Sequence, residues 1–110
     1  MGFAFSVQYT NFTIKYLISN IMSKVIIEKL SKEEILSRGI NHWPIWEKEV
    51  SRFDWYYDSE EECQILEGEV DVETPDGKYY IKAGDFITFK VGLKCIWNVK
   101  KPIRKHYSFK

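Results

Sequence analysis

The sequence predicts an all-β fold, a single domain built as a sandwich or closed barrel of short strands. Three observations carry that expectation. Short β-rich runs (Phe53–Asp58, Glu61–Glu67, Lys78–Lys82 and Phe86–Phe89 among them) succeed one another with almost no helical periodicity between them. Turn signals punctuate these runs: Thr-Pro-Asp-Gly-Lys at 74–78, Ala-Gly-Asp at 83–85 and Lys-Val-Gly-Leu-Lys at 90–94. Finally, 110 residues hold one core and not two, and 16% of them are aromatic, which suits a barrel filled by large side chains.

Residues 1–22 contain no acid and a single base, Lys15, and differ in character from the rest of the chain. They are expected to form an extension outside the domain, which then spans 23–110. An upstream start, an organelle presequence and a genuine arm all fit that composition. Val25–Leu30 is expected as an edge strand. Ser31-Lys-Glu-Glu34 is a capping-box pattern, because the serine hydroxyl takes the amide of Glu34 while Glu34 reaches back to the cap. A short helical turn over 32–38 should end at Gly39. The stretch Asn41–Trp46 reads as irregular around Pro44, with Trp43 and Trp46 lying over the barrel.

Next comes an aromatic alternation: Phe53, Trp55 and Tyr57 fall on one face, Asp54, Tyr56 and Asp58 on the other. The run 61–67 ends at Gly68, the natural place for a kink. Beyond it Glu69, Asp71 and Glu73 alternate with Val70, Val72 and Thr74. Ile65 and Leu66 are adjacent and apolar, so both faces there need cover, from the N-terminal strand or a second subunit. Cys95–Val99 and Ile103–Phe109 read as two strands around a Lys-Lys-Pro turn. In the last of them Arg104, His106 and Ser108 oppose Ile103, Lys105, Tyr107 and Phe109.

Sixteen basic and sixteen acidic residues cancel, so no global field draws the chain to nucleic acid or to a membrane surface. The charges are nevertheless segregated. Residues 58–76 hold nine acids and no base, and residues 90–110 hold seven bases and no acid. Cross-strand or intersubunit complementarity is the plain reading, an anion-binding C-terminal face the sharper one. No run approaches the roughly twenty apolar residues of a membrane span. Cys63 and Cys95 form no disulfide framework and no CxxC, which points to a reducing compartment. A cytoplasmic location is expected, or an organelle if residues 1–22 are a presequence. A strand covered on both faces in a barrel with open edges also implies a homodimer.

Two stretches resemble the motifs of the cupin family, a superfamily of small β-barrels. The first motif there is His-x-His, three or four residues, Glu, six residues, Gly. Glu61 and Gly68 fit it, while Trp55 and Tyr57 stand in the histidine positions at the shorter spacing, Asp54 and Tyr56 at the longer. The second is Gly, five residues, Pro-x-Gly, two residues, His. Residues 84–95 match its spacing, with Gly84 and Gly92 in place, Lys90 for the proline and Cys95 for the histidine. Trp43–Lys48, the Trp-Tyr-Tyr-Asp strand and Arg104–Tyr107 are similar to small cupins of the ureidoglycine aminohydrolase type. The resemblance covers residues 23–110 and implies an RmlC-like jelly-roll barrel.

Cupin enzymes of this kind hold a divalent ion with three histidines and the glutamate. The two histidines here, His42 and His106, lie outside both motif positions, so no metal and no other cofactor is expected in the usual place. Zinc on Cys63, Cys95 and Glu61 is the one chemically sensible alternative. The motif glutamate, Glu61, is the candidate catalytic residue. In a desolvating aromatic pocket it would serve as general acid or base, and at the rim it would be ionised beside Glu60 and Glu62. A third arrangement pairs it with a buried cation that the sequence does not single out. Trp55, Tyr57 and Trp97, with Cys63 and Cys95, are the candidate pocket residues for an unidentified small molecule. The same aromatics are equally suited to filling the barrel, and each cysteine to being an inert core thiol.

Overall fold

The structure is a computed structural model that describes residues 23–110, so the extension expected at 1–22 lies outside the described residues. The chain runs β1 (Val25–Glu28), α1 (Lys32–Ser37), a 3-10 turn (Ile40–His42), β2 (Ile45–Lys48), β3 (Ser51–Tyr56), β4 (Glu61–Thr74), β5 (Gly77–Lys82), β6 (Phe86–Phe89) and β7 (Lys94–Phe109). All pairings are antiparallel, and the main path through the sheet is β1-β6-β4-β7-β2.

Two long strands make the frame. β4 and β7 pair from Glu61↔Phe109 to Glu73↔Ile96, and every other strand attaches to one of them or to β6. The outer edge of β4 takes β6 along 61–64 and β5 along 69–74. That of β7 takes β3 along 94–99 and β2 along 103–106. Both long strands therefore change neighbours half-way, and the sheet folds over onto itself there. This is the all-β cupin barrel that the motifs implied.

The fold-over is centred on Gly68. Its φ is 100°, and the β4–β7 register shifts three times between Ile65 and Val70. A Cβ at this position would sit 2.1 Å from the Pro102 carbonyl oxygen and 2.8 Å from that of Lys101, well inside van der Waals contact. Only glycine lets the two backbones cross so closely. On the partner strand, Pro102 tolerates the same irregularity because a bulge needs no ladder hydrogen bond from it. The chain thus stays extended through Lys100–Pro102 where the sequence suggests a turn, and 61–74 is one bent strand where it suggests two.

The interior follows from alternation. Glu61, Cys63 and Ile65 point inward with Ile87 and Phe89 of β6, and Val70, Val72, Trp97 and Val99 face them from the other half. Gln64 and Phe86 fall on the outer face and are nevertheless buried. Within the chain, the segment after β1 supplies cover on this side. Ser31 and Glu34 form both halves of the capping box, and Gly39 closes the turn at φ 70°. Ile40 is then fully buried, Trp43 lies 6.4 Å from the Phe86 ring, and the Arg38 guanidinium sits over that ring at 5.7 Å.

The expected irregular stretch gives way to a strand at Ile45. Ile45 and Trp46 belong to β2, and Pro44, which has no N–H to give, instead accepts from the Tyr107 amide at 3.1 Å. Part of the segregated charge pairs within the chain: Glu67–Arg104 and Glu69–Lys101 are ion pairs across the β4–β7 ladder, and Glu62 pairs with Lys110 just beyond it.

The crossing can be tested by comparing two glycines. We expect Gly68→Ala to cost roughly 3–5 kcal/mol, combining left-handed strain with overpacking. Gly39→Ala, where nothing lies within 4 Å of the added Cβ, should cost only about 1–2 kcal/mol from the backbone term. Urea unfolding of both variants checks the difference, and equal losses would show that the crossing is not the constraint.

Candidate functional site

The barrel holds a cleft of about 210 Å³ whose base is polar and whose walls are aromatic. Its base is Glu61, on the first residue of β4, and Lys105 of β7. Lys105 pairs with Ile65 on one side and Trp46 on the other, so its side chain leaves the same inner face as Glu61. The lysine stem runs along that face, and Nζ donates to Glu61 Oε2 at 2.7 Å. Both residues are deeply buried, Glu61 2% and Lys105 5% exposed.

Two indole faces complete the cation's surroundings. Nζ lies 4.7 Å from the ring centroid of Trp46 and 4.7 Å from that of Trp97. A desolvated cation–π contact contributes up to about 2 kcal/mol. Trp97 is itself fixed by Phe53, stacked at 6.1 Å, and by Trp46 edge-on at 5.8 Å. Tyr57 stacks on Phe89 at 4.8 Å with 7° between the planes. Its backbone is anchored at both ends, donating to the Leu93 carbonyl and accepting from the Gly92 amide. Trp55, Tyr107 and Phe109 complete the cleft, and Trp55 is 46% exposed at its mouth.

Of the residues singled out in the sequence, Trp55, Tyr57, Glu61 and Trp97 come together in this cleft. Cys63 and Cys95 do not line it. Cys63 is fully buried, and Cys95 lies beneath a separate shallow groove with Trp55, Asp54 and Pro75. Both are free thiols. Burial pushes Cys63 up to about 12, with the nearby Lys105 ammonium acting in the opposite direction. Burial likewise takes Cys95 up to about 11, against the lowering effect of the Trp97 N–H. The Tyr57 hydroxyl is held well above its usual range by burial and then by the Glu61 carboxylate. At neutral pH these three groups are uncharged, and the salt bridge at the base of the cleft is Glu61–Lys105.

The charged residue missed in the sequence is Lys105, along with the wall residues Phe53, Tyr107 and Phe109. The signal was present: Lys105 is the lone charged residue on the Ile103, Tyr107, Phe109 face of the last strand. Glu61 is accordingly paired with a buried lysine, as in the third of the arrangements its position in the motif allows.

Residues 37–107 match the EutQ-like cupin domain. The chain belongs to this family. A DUF861-family protein from Thermotoga maritima is 55% identical, with 78% of this chain and 99% of that one covered and a TM-score of 0.76. The EutQ proteins of Salmonella typhimurium (a putative ethanolamine utilization protein) and Clostridium difficile are each 20% identical. Each covers 77% of this chain, with 68% and 66% of theirs and TM-scores of 0.54 and 0.55. At that identity they show the fold alone. No curated protein matches the chain.

The divalent ion implied by the wider cupin fold does not fit these residues. The motif glutamate is held by the Lys105 side chain, Trp55 and Tyr57 fill two of the histidine positions, and Cys95, at the third, does not line the cleft. His106 lies on the outer face, where Nδ1–H donates to the Trp43 carbonyl at 2.8 Å, and His42 is exposed. Among the described residues no group of three or more His, Cys, Asp or Glu side chains converges on a point. Nor is any helix among them long and apolar enough to cross a membrane.

Two measurements probe the pair and the thiols. Lys105→Met leaves a carboxylate buried without its partner, and we expect a loss of about 3–5 kcal/mol. The double variant Lys105→Met/Glu61→Gln should recover most of it, whereas strict additivity in urea unfolding would show that the groups do not interact. The second concerns alkali. The folded Cys63 value, about 12, exceeds the ordinary 9.0, so the unfolded chain releases that proton first. Stability is then fully present below about pH 9 and declines towards pH 12, by up to about 1.4 kcal/mol per pH unit per group. Cys63→Ala should flatten this decline, and an unchanged slope would assign it elsewhere.

Proposed function

We propose that this EutQ-like cupin binds a small organic molecule in its aromatic cleft, with the polar part of the ligand against the Glu61–Lys105 pair. The observation that carries the reading is the combination of an open aromatic-walled cleft with one buried, paired charge of each sign at its base. Such a site gives apolar contact for affinity and a few fixed polar atoms for orientation. An engineered cavity of about 150 Å³ accepts benzene, so about 210 Å³ suits a single substituted ring or a chain of similar size. The base is neutral as a whole, which favours a neutral, polar-ended ligand over a multiply charged one. The resemblance to ureidoglycine aminohydrolase-type cupins supports a small nitrogenous or carbohydrate compound.

A catalytic version of this reading is favoured by one further fact. Glu61 and Lys105 are at the base of the cleft and not behind it, so a ligand meets both.

Indole fluorescence provides the test, because Trp46, Trp55 and Trp97 all line the cleft. We expect saturable quenching by a one-ring polar compound together with a raised melting temperature. Trp55→Ala, at the exposed mouth, should weaken binding about tenfold while leaving stability within about 1 kcal/mol. Quenching that survives unchanged in Trp55→Ala would place the ligand elsewhere.

A further inference from the structure

Among the described residues Lys105 is the one buried lysine, and it is bonded to a carboxylate at 2.7 Å inside a cleft that opens to solvent. Its ammonium has three N–H donors. One goes to Glu61 Oε2. Among the described residues the other two have only the faces of Trp46 and Trp97, each 4.7 Å away, for partners. A π face is a weaker acceptor than an oxygen, so a ligand oxygen entering the cleft meets unspent donors carrying a full positive charge. The same ligand meets the Glu61 carboxylate, whose Oε1 takes no bond from the lysine. A fixed cation and a carboxylate side by side, in a site walled by aromatics, are the two parts that enolisation needs: a charge for the developing oxyanion and a base for the carbon-bound proton.

Resting on the proposal that the cleft binds a small molecule, we propose that it abstracts a proton from the carbon next to a carbonyl, with Glu61 as base and Lys105 as oxyanion holder. The substrate class is a neutral ketone or aldehyde of about one ring in size that carries an α-hydrogen. The α C–H bond breaks and its proton goes to a Glu61 oxygen. The C–H electron pair becomes the C=C bond, and the carbonyl π pair moves onto oxygen, where a Lys105 N–H receives it. Return of a proton from Glu61 to carbon reverses the step, and no oxidant, reductant or second substrate is consumed. The reaction classes open to such a pair are isomerisation, epimerisation and exchange next to a carbonyl.

The test uses the full chain and phenylacetone as probe, in heavy water at neutral pH. Proton NMR follows loss of the α-hydrogens, and indole fluorescence follows binding in the same samples. We expect saturable exchange well above the buffer rate. It should fall about 100-fold or more in Glu61→Gln and by a similar factor in Lys105→Met. Because either substitution leaves a buried charge alone, Glu61→Asp and Lys105→Arg accompany them. These keep the charges but move the base and the donor, and each should lower exchange at least tenfold while the probe still binds. Exchange that persists in folded Glu61→Asp and Lys105→Arg at the parent rate overturns the assignment. Saturable binding without exchange above buffer overturns the proposal and leaves the binding reading standing. A probe that neither binds nor exchanges overturns both.

Discussion

The pairing of β4 with β7 along their whole length is the constraint on which the molecule depends. The other strands attach to this ladder directly or through β6, and the fold-over at Gly68 turns a flat sheet into a barrel. The crossing also sets the chemistry. Because the register shifts between Ile65 and Val70, the lower half of the ladder is phased so that Glu61, Cys63, Ile65 and Lys105 all face inward. A slip of one residue would send the whole set to the opposite face. Glycine at 68 and the alignment of Glu61 with Lys105, four rungs along the β4–β7 ladder, are thus parts of one geometric solution.

Much of this was legible in the chain. The capping box, the edge strand, the Thr74–Gly77 hairpin and the kink at Gly68 each rest on local chemistry that a sequence displays directly. The first motif, at the shorter of its two spacings, set Trp55 and Tyr57 beside Glu61, while the second set Cys95 there, which lies outside the cleft. What escaped is of a different kind. Lys100–Pro102 reads as a turn because proline and two lysines suit one, yet pairing with β4 keeps the backbone extended, and tertiary pairing overrides local preference. Lys105 escaped because lysine is almost never fully buried without a partner, and its partner lies 44 positions earlier in the chain. Trp46 reads from the sequence as a cap over the barrel; only its pairing with Lys105 shows that it is a wall.

Two layers of electrostatics coexist. On the outside, the acidic run of β4 meets the basic run of β7 across the ladder in exposed pairs such as Glu69–Lys101, each contributing little in water. Inside, among the described residues, a single pair has both partners withdrawn from solvent, where each charge depends on the other. The exposed pairs are dispersed and salt-sensitive; the interior one is fixed by packing from Trp46, Trp97 and Phe53.

The tethering of that interior cation to the backbone has a consequence for how such a protein comes to be ready for use. A charge supplied by an ion must be captured from the surroundings, and its identity depends on which metals are abundant. A charge at the end of a lysine stem arrives with translation and stays at unit stoichiometry. Neither scarcity nor the wrong ion displaces it. That part of the site is in place when the strands close.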